Sequence, residues 1–324
     1  MQAVILAAGK STRTYPLTLT KPKPLLKVAN KTLLEHNLDN LNGVVDQVIV
    51  VVGYKKNLIK IYFGNRYKKI KIRYVEQKQQ LGTGNALLFV EKYIKNDFIS
   101  LHGDDIYSKN DFKNVIKNKY SILTKQVENP ELFGVIVEKN NILIDLIEKP
   151  QKFVSDLVNT GLYKLDKKIF TSLKKSKKSK RSEYELTDAI RGLSKTEKIY
   201  CVKSKQWLPI GYPNDLLKAD RILRKNKNSI GKNSRICGKI ENSSVGNNCI
   251  IMGSVINSII MDNAIIGKNS VVKDSVVGEN ARLSGKISGS VIADNVKAEN
   301  VVVENCKIWP NKQISNKTIK QDLV

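Results

Sequence analysis

A chain of 324 residues is long enough to bury one large core or two moderate ones. Its formal net charge of +26 invites a nucleic-acid reading. Lys, however, far outnumbers Arg and is spread along the chain, and aromatic residues make up only 6%. The charge therefore suits anionic small substrates and marks no nucleic-acid platform.

In chain order, Ala3-Val4-Ile5-Leu6 predicts a short buried strand. It runs into LAAGKSTRTYPLTLTKPKPL over residues 6–25, whose small residues let backbone N–H groups approach a phosphate. Arg13 and, ten residues later, Lys23 supply two cations able to hold a polyphosphate. Gly9-Lys10 breaks the apolar start too early for a signal peptide, and no run reaches the length of a membrane span. The expectation is a soluble, cytoplasmic protein.

Helical spacing follows in TLLEHNLDNL (32–41), TGNALLFVEKYI (83–94) and FKNVIKN (112–118). VIVVV (48–52), IKIRYV (70–75) and FISL (98–101) read as buried strands. This alternation predicts a mostly parallel sheet with helices on both faces, and ligands beyond the carboxyl ends of its strands. The Gly9 loop, the Gln77–Thr83 stretch and Gly103-Asp104-Asp105 all follow strands and should meet at one edge. FGVIVEKNNILIDLIEKP predicts a hairpin turning at Asn140-Asn141, and VNTGLYKL a further strand. The basic run KKSKKSKR (174–181) reads as a solvated loop.

Past residue 228 a five-residue unit recurs: IGKNS at 230, VGNNC at 245, IMDNA at 260, IGKNS at 266, VGENA at 277 and IADNV at 292. Such repetition predicts a parallel β-helix with the aliphatic residues stacked inward, although the offsets are irregular. The expected domains are 1–227 and 228–314, joined through the polar segment RKNKNS (224–229), with 315–324 as a tail. Cys201, Cys237, Cys249 and Cys306 lack CxxC spacing and neighbouring histidines, so reduced thiols are expected and a zinc site is not.

LAAGKSTR, PLT, KPKPLL, YVEQKQQLGTGNAL, GDD, EKP, NTGLY and ELTDA, in that order, resemble the sugar-1-phosphate nucleotidylyltransferase family over essentially the whole chain. The resemblance includes glucose-1-phosphate thymidylyl- and uridylyltransferases and N-acetylglucosamine-1-phosphate uridylyltransferases. It implies an α/β, Rossmann-like, mostly parallel sheet followed by a left-handed parallel β-helix. The implied reaction is attack of a sugar 1-phosphate oxygen on the α-phosphorus of a nucleoside triphosphate, releasing pyrophosphate.

On that resemblance Arg13 and Lys23 are catalytic, and Leu6, Ala8, Gly9, Ser11, Thr12, Arg13, Gln77, Gly82 and Thr83 bind nucleotide. Gln77 sits where the base is read, and a carboxamide complements uracil or thymine, favouring UTP or dTTP. Gly134, Glu148, Lys149 and Asn159 are implied for the sugar phosphate and Asp104 for Mg²⁺. The implied partners are the two substrates and further copies of the chain through the β-helix, with neither nucleic acid nor membrane.

Three departures bear on this reading. Ser11 replaces a family glycine, which is acceptable at negative φ. Trp207-Leu208-Pro209-Ile210-Gly211 carries proline where relatives place a second metal-binding carboxylate or amide. Asp215, the nearby candidate replacement, is expected to face solvent on the helix PNDLLKADRIL (213–223). Some relatives use the β-helix as an acetyltransferase with a catalytic histidine, but the only histidines here are His36 and His102. An oligomerisation or regulatory role for the β-helix fits better. The alternative to catalysis is a sugar-nucleotide-binding regulatory subunit.

Overall fold

A computed structural model describes residues 1–179 and 181–324, so Lys180 of the basic run lies outside the described residues. The chain forms two units, one of residues 1–9 and 34–209, the other of residues 10–33 and 210–324. This division departs from the boundary expected at 227/228. The segment bearing Arg13 and Lys23, and the helix after Pro209, belong with the repeats. No helix among the described residues is long and apolar enough to cross a membrane.

In the first unit, the apolar runs form β1 (Gln2–Ala7), β2 (Gln47–Val52), β3 (Ile70–Glu76) and β4 (Phe98–His102). The later strands are β5 (Ser121–Gln126), β6 (Gly134–Lys139), β7 (Ile142–Glu148), β8 (Leu157–Leu165) and β9 (Tyr200–Lys203). Behind the short edge pair Arg66–Tyr67 the sheet order is β3-β2-β1-β4-β8-β5-β9-β7-β6. The first four strands are parallel, with Ile5 opposite both Val50 and Leu101. β8 runs antiparallel to β4 and β5, and β6–β7 is the predicted hairpin. Its Asn140 and Asn141 take φ of 55° and 58°, the left-handed pair that a tight two-residue turn needs.

Continuous apolar strands are what a sheet buried on both faces requires, and Ala3, Val4 and Ile5 are fully buried. The helices α1 (Leu33–Leu41), α2 (Lys56–Phe63), α3 (Thr83–Leu88), α4 (Lys109–Val115), α5 (Lys168–Lys175) and α6 (Leu186–Leu193) connect the strands. Leu87, Phe170 and Ile190, from α3, α5 and α6, share one core with Val4, Leu6 and Val51.

Two predicted helices are shifted. The helix expected over 83–94 stops at Leu88, with a separate turn at Glu91–Tyr93. The one expected at 112–118 begins at Lys109, because Ser108 and Asp111 cap each other. The Asp111 amide donates to Ser108 Oγ at 3.2 Å, and the Ser108 amide donates to the Asp111 carboxylate at 2.9 Å.

In the second unit, α7 (Pro213–Leu223) leads into three parallel ladders of short strands. One stacks Ile230, Val245, Ile260, Val277, Ile292 and Ile308 in register. Another stacks Ile236, Ile251, Ile266 and Leu283. Each coil is therefore a turn of a three-sided parallel solenoid. The irregular repeat offsets now have a cause: IGKNS at 266 lies on the second side of the coil begun by IMDNA at 260. The recurring Asn is the corner. Asn233, Asn248, Asn263, Asn280, Asn295 and Asn311 all adopt positive φ, which Asn tolerates better than most residues. Their amides bond between coils, as Asn280 does to Asn295 at 3.0 Å.

The C-terminal residues are not a loose tail. Thr318-Ile319 pairs with the preceding coil, and the Leu323 amide donates to the Lys307 carbonyl at 2.8 Å. RKNKNS is not a loose linker either, because the Arg224 guanidinium donates to the Lys227 carbonyl and to the Asn242 carbonyl, the latter at 3.0 Å. All four cysteines are free thiols.

Candidate active site

The expected meeting of loops at one sheet edge is observed in the first unit. β3, β2, β1 and β4 are adjacent and parallel, so the residues after them emerge together. The Gly103 amide donates to the Leu6 carbonyl at 2.9 Å, Tyr54 to Ala8 at 3.0 Å, and Gln77 to Val52 at 2.9 Å. Leu6 and Ala8 are buried while Gly9 is exposed. A Cβ on Gly53 would come within 2.7 Å of the Ala8 carbonyl, so glycine there lets the two crossing loops touch.

Gln77 is buried, and its side-chain nitrogen is already engaged. Nε2 donates to the Gly82 carbonyl at 3.1 Å and to Asn85 Oδ1 at 2.9 Å. The carboxamide was expected to read a base with donor and acceptor together. Here the side-chain nitrogen donates to the loop that follows, which fixes the orientation of the carboxamide. Gly82 (φ 98°) and Gly84 serve close packing: a Cβ on either would lie within 2.8 Å of the Tyr184 carbonyl. Thr83 Oγ1 accepts the Leu186 amide at 3.2 Å at the start of α6. Asn85 and Tyr184 were missed from sequence, although TGNAL does contain the asparagine.

Gly134, Glu148 and Asn159 come together where β6, β7 and β8 meet. Gly134 pairs with Glu148, and Val135 pairs with Val158. A Cβ on Gly134 would stand 3.2 Å from Glu148 Oε2, so the glycine leaves space beside that carboxylate. Asn159 is fixed at both ends, donating to the Tyr163 hydroxyl at 2.6 Å and accepting the Gly161 amide at 2.9 Å. Lys149 is exposed at the hairpin's end. Arg181 was not foreseen; its guanidinium bridges Glu148 at 3.1 Å and Glu185 at 2.8 Å.

Burial and the charge of Glu185 push the Glu148 carboxyl above its ordinary range, with Arg181 and Lys149 opposing. A raised folded-state pKa gives stability that is complete below the unfolded value and fades as pH rises through the folded one. Glu148→Gln should therefore match the wild type in stability near pH 4 and exceed it near pH 7. Denaturant midpoints at the two pH values check this.

Asp104 is half-buried directly after β4 and Gly103. Its neighbour Asp105 is committed elsewhere: Oδ2 accepts from Trp207 Nε1 at 3.1 Å, and its carbonyl accepts from Asn37 Nδ2 at 2.7 Å. Leu208 forms a bridge to Ile106, which brings Pro209 along this strand end with no side-chain ligand to offer a cation. Among the described residues, no three His, Cys, Asp or Glu side chains cluster as a metal site. His102 packs beside Gly161, whose Cβ position would lie 2.4 Å from Nδ1.

Ser11, Thr12, Arg13 and Lys23 belong to the second unit. Three short 3₁₀ turns carry them, at Thr12–Thr14, Leu17–Leu19 and Lys23–Leu25. Ser11 departs from expectation, with φ of 53° in the left-handed region. Its carbonyl accepts from Thr14 Oγ1 at 2.7 Å and Thr18 Oγ1 at 2.9 Å, bonds that hold it there. Ser11→Gly keeps those backbone bonds and removes the Cβ penalty, so a stability gain of up to about 1 kcal/mol is expected by thermal denaturation. Arg13 is exposed, its guanidinium 5.5 Å from the centre of the Tyr212 ring. Lys23 is buried between Pro22 and Pro24. Asp215, expected to face solvent, instead caps α7 by accepting the Gly211 and Tyr212 amides at 2.9 and 2.8 Å.

Residues 2–226 match the family model described as Nucleotidyl transferase, and residues 219–324 match the one described as GMPPB C-terminal domain. The bifunctional protein GlmU of Methanocaldococcus jannaschii is 42% identical over 245 residues, covering 74% of this chain and 57% of that protein. The UTP–glucose-1-phosphate uridylyltransferase AglF of Haloferax volcanii is 37% identical over 236 residues, covering 69% of this chain and 97% of that protein. A crystal structure of UDP-glucose pyrophosphorylase complexed with UDP-glucose superposes with a TM-score of 0.64 at 26% identity, covering 70% of this chain and 99% of that one. The chain spans 57% and 58% of the GlmU proteins of Methanocaldococcus jannaschii and Methanococcus vannielii, and 80% of that of Methanococcus aeolicus, to which it is 40% identical over 98% of its own length.

Proposed function

The chain belongs to the sugar-1-phosphate nucleotidylyltransferase family, and from that premise we propose that it transfers the nucleotidyl group of UTP or dTTP to glucose 1-phosphate or N-acetylglucosamine 1-phosphate, releasing pyrophosphate. The observation that carries this reading is the arrangement of four adjacent parallel strands delivering Gly9, Gly53, Gln77 and Gly103-Asp104 to one edge. Such an edge is where α/β sheets bind nucleotides. The Gly9 loop offers backbone donors to phosphate, and Arg13 and Lys23, which the resemblance makes catalytic, are the cations assigned to the reaction. Gln77 Oε1 accepts the N3–H of the base, while Gly134, Glu148, Lys149 and Asn159 hold the sugar and its phosphate.

A half-buried carboxylate at the end of a parallel strand fits Mg²⁺, which is commonly held by one or two carboxylates together with substrate phosphates and water. In this reading Asp104 would hold the ion, which would supply charge neutralisation at the phosphates. The solenoid winds left-handed, lacks a histidine for acyl transfer and joins copies of the chain in the cytoplasm. Sedimentation of the full chain tests the last point, with a monomer as the contrary result.

Pyrophosphate release from UTP, dTTP, GTP, ATP and CTP with each sugar 1-phosphate tests the reaction. UTP or dTTP should lead. A lead for GTP would overturn the assignment of uracil or thymine as the base. Pro209 favours a second reading, a regulatory subunit that binds nucleotide sugars without turnover. Binding without pyrophosphate release from any pair would establish that alternative.

A further inference from the structure

Two other lysines flank Lys23, and both end on carboxylates of the solenoid. Lys21 Nζ lies 2.7 Å from Glu279 Oε1 and 3.0 Å from Asp294 Oδ2. Thr20 Oγ1 donates to the same Asp294 oxygen at 2.6 Å. Lys27 Nζ donates to Asp262 Oδ2 at 2.5 Å. These are not loose surface pairs: the side chains of Lys21, Lys27, Asp294 and Asp262 are only 9%, 13%, 7% and 19% exposed.

The three carboxylates occupy one position of the repeat, the residue before the corner Asn, in successive coils: Asp262-Asn263, Glu279-Asn280 and Asp294-Asn295. Neighbouring coils stand about 4.8 Å apart, so the three form a row. Both aspartates are oriented alike. Asp262 Oδ1 accepts the Asn247 amide at 3.0 Å, and Asp294 Oδ1 accepts the Glu279 amide at 2.7 Å. Gly246 and Gly278 make room, since a Cβ there would lie 2.4 and 2.5 Å from those oxygens. Each aspartate thus has one oxygen fixed to the preceding coil and the other turned to the 10–33 segment. Elsewhere in the row the same position holds Lys232, Asn247 and Pro310.

Buried ion pairs roughly break even in stability, so their use lies in orientation. Lys21-Pro22-Lys23-Pro24 is stiff, because proline fixes φ, and anchoring Lys21 and Lys27 therefore fixes the backbone of Lys23. We propose that the solenoid's carboxylate row, Asp262, Glu279 and Asp294, is a positioning device that holds the 10–33 segment so that Lys23 is set for the transfer reaction. The role assigned to Lys23 rests on the transferase reading; the clamp itself does not.

The test uses the full chain carrying Asp262→Asn together with Asp294→Asn, with kcat, KM and amide hydrogen exchange measured in parallel. Misplacement of a reacting group by about 1 Å costs about 10²-fold, so kcat should fall by roughly that factor. KM for the sugar 1-phosphate should change little. Exchange should rise in residues 10–33 and stay constant in β1 to β4. Lys27→Met added to Asp262→Asn should cost no more than either change alone, the non-additivity of a shared contact. Activity within threefold of wild type, unchanged exchange in 10–33, or a global rise in exchange would each overturn the clamp. Absence of turnover by the unaltered protein would instead sink the transferase reading, and exchange in 10–33 would still decide the clamp.

Discussion

Replacing Asp104 by Ala is expected to lower kcat/KM for nucleotide-sugar synthesis by about 10³-fold or more, the equivalent of several kcal/mol of charge stabilisation. The side chain follows Gly103, whose amide is fixed to the Leu6 carbonyl, so truncation leaves the local backbone bonds in place. Asp105→Ala behaves differently, because it deprives buried Trp207 of the acceptor for Nε1 and should cost about 1–3 kcal/mol. The pair of variants separates chemistry from folding. Asp104→Ala loses turnover while the Gly103–Leu6 backbone bond is kept, and a Mg²⁺ titration no longer raises the rate. Full activity in that variant would place the metal ligand elsewhere. Lys23→Met is the companion, with a comparable loss expected from the charge that the proposed reaction assigns to that cation.

The sheet edge was legible because strand runs and small-residue loops are local patterns, and parallel order alone then brings Gly9, Gln77 and Asp104 to one side. What sequence did not show were partners fixed by tertiary contact. Ser11 takes positive φ because Thr14 and Thr18 converge on its carbonyl, a geometry no local propensity encodes. Gln77 was identified by type, yet its N–H groups are directed inward by Gly82 and Asn85. Asp215 looks solvent-facing on a helical wheel, but the first turn of a helix has unpaired amides and the carboxylate folds back onto them. The repeat was readable, but its register was not. The same Ile-Gly-Lys-Asn lettering opens the first side of one coil at Ile230 and the second side of another at Ile266, and a coil of 17 residues separates Ile260 from Val277.

Arg224→Met is expected to be among the most destabilising single substitutions in the second unit, by about 3–5 kcal/mol. The Arg224 Nε to Asp220 Oδ2 contact is 2.6 Å, and the two side chains are only 3% and 2% exposed. Asp220 also accepts the Ala29 amide at 2.7 Å and the Ser244 hydroxyl through Oδ1. One carboxylate therefore fastens the 10–33 segment, α7 and the first full coil. Removing the guanidinium leaves a buried charge with half of its compensation and also withdraws donors from the Lys227 and Asn242 carbonyls. Asp220→Asn leaves the opposite charge stranded, so the two single losses should be similar. The double variant should cost less than their sum, because neither charge is then buried alone. Lys174→Met, which breaks an exposed pair with Glu91, is the control and should stay within about 0.5 kcal/mol. Chemical denaturation read together with amide exchange in 10–33 checks all four proteins. Equal stability of Arg224→Met and the control would mean that packing of the coil, and not this ion pair, holds the three segments together.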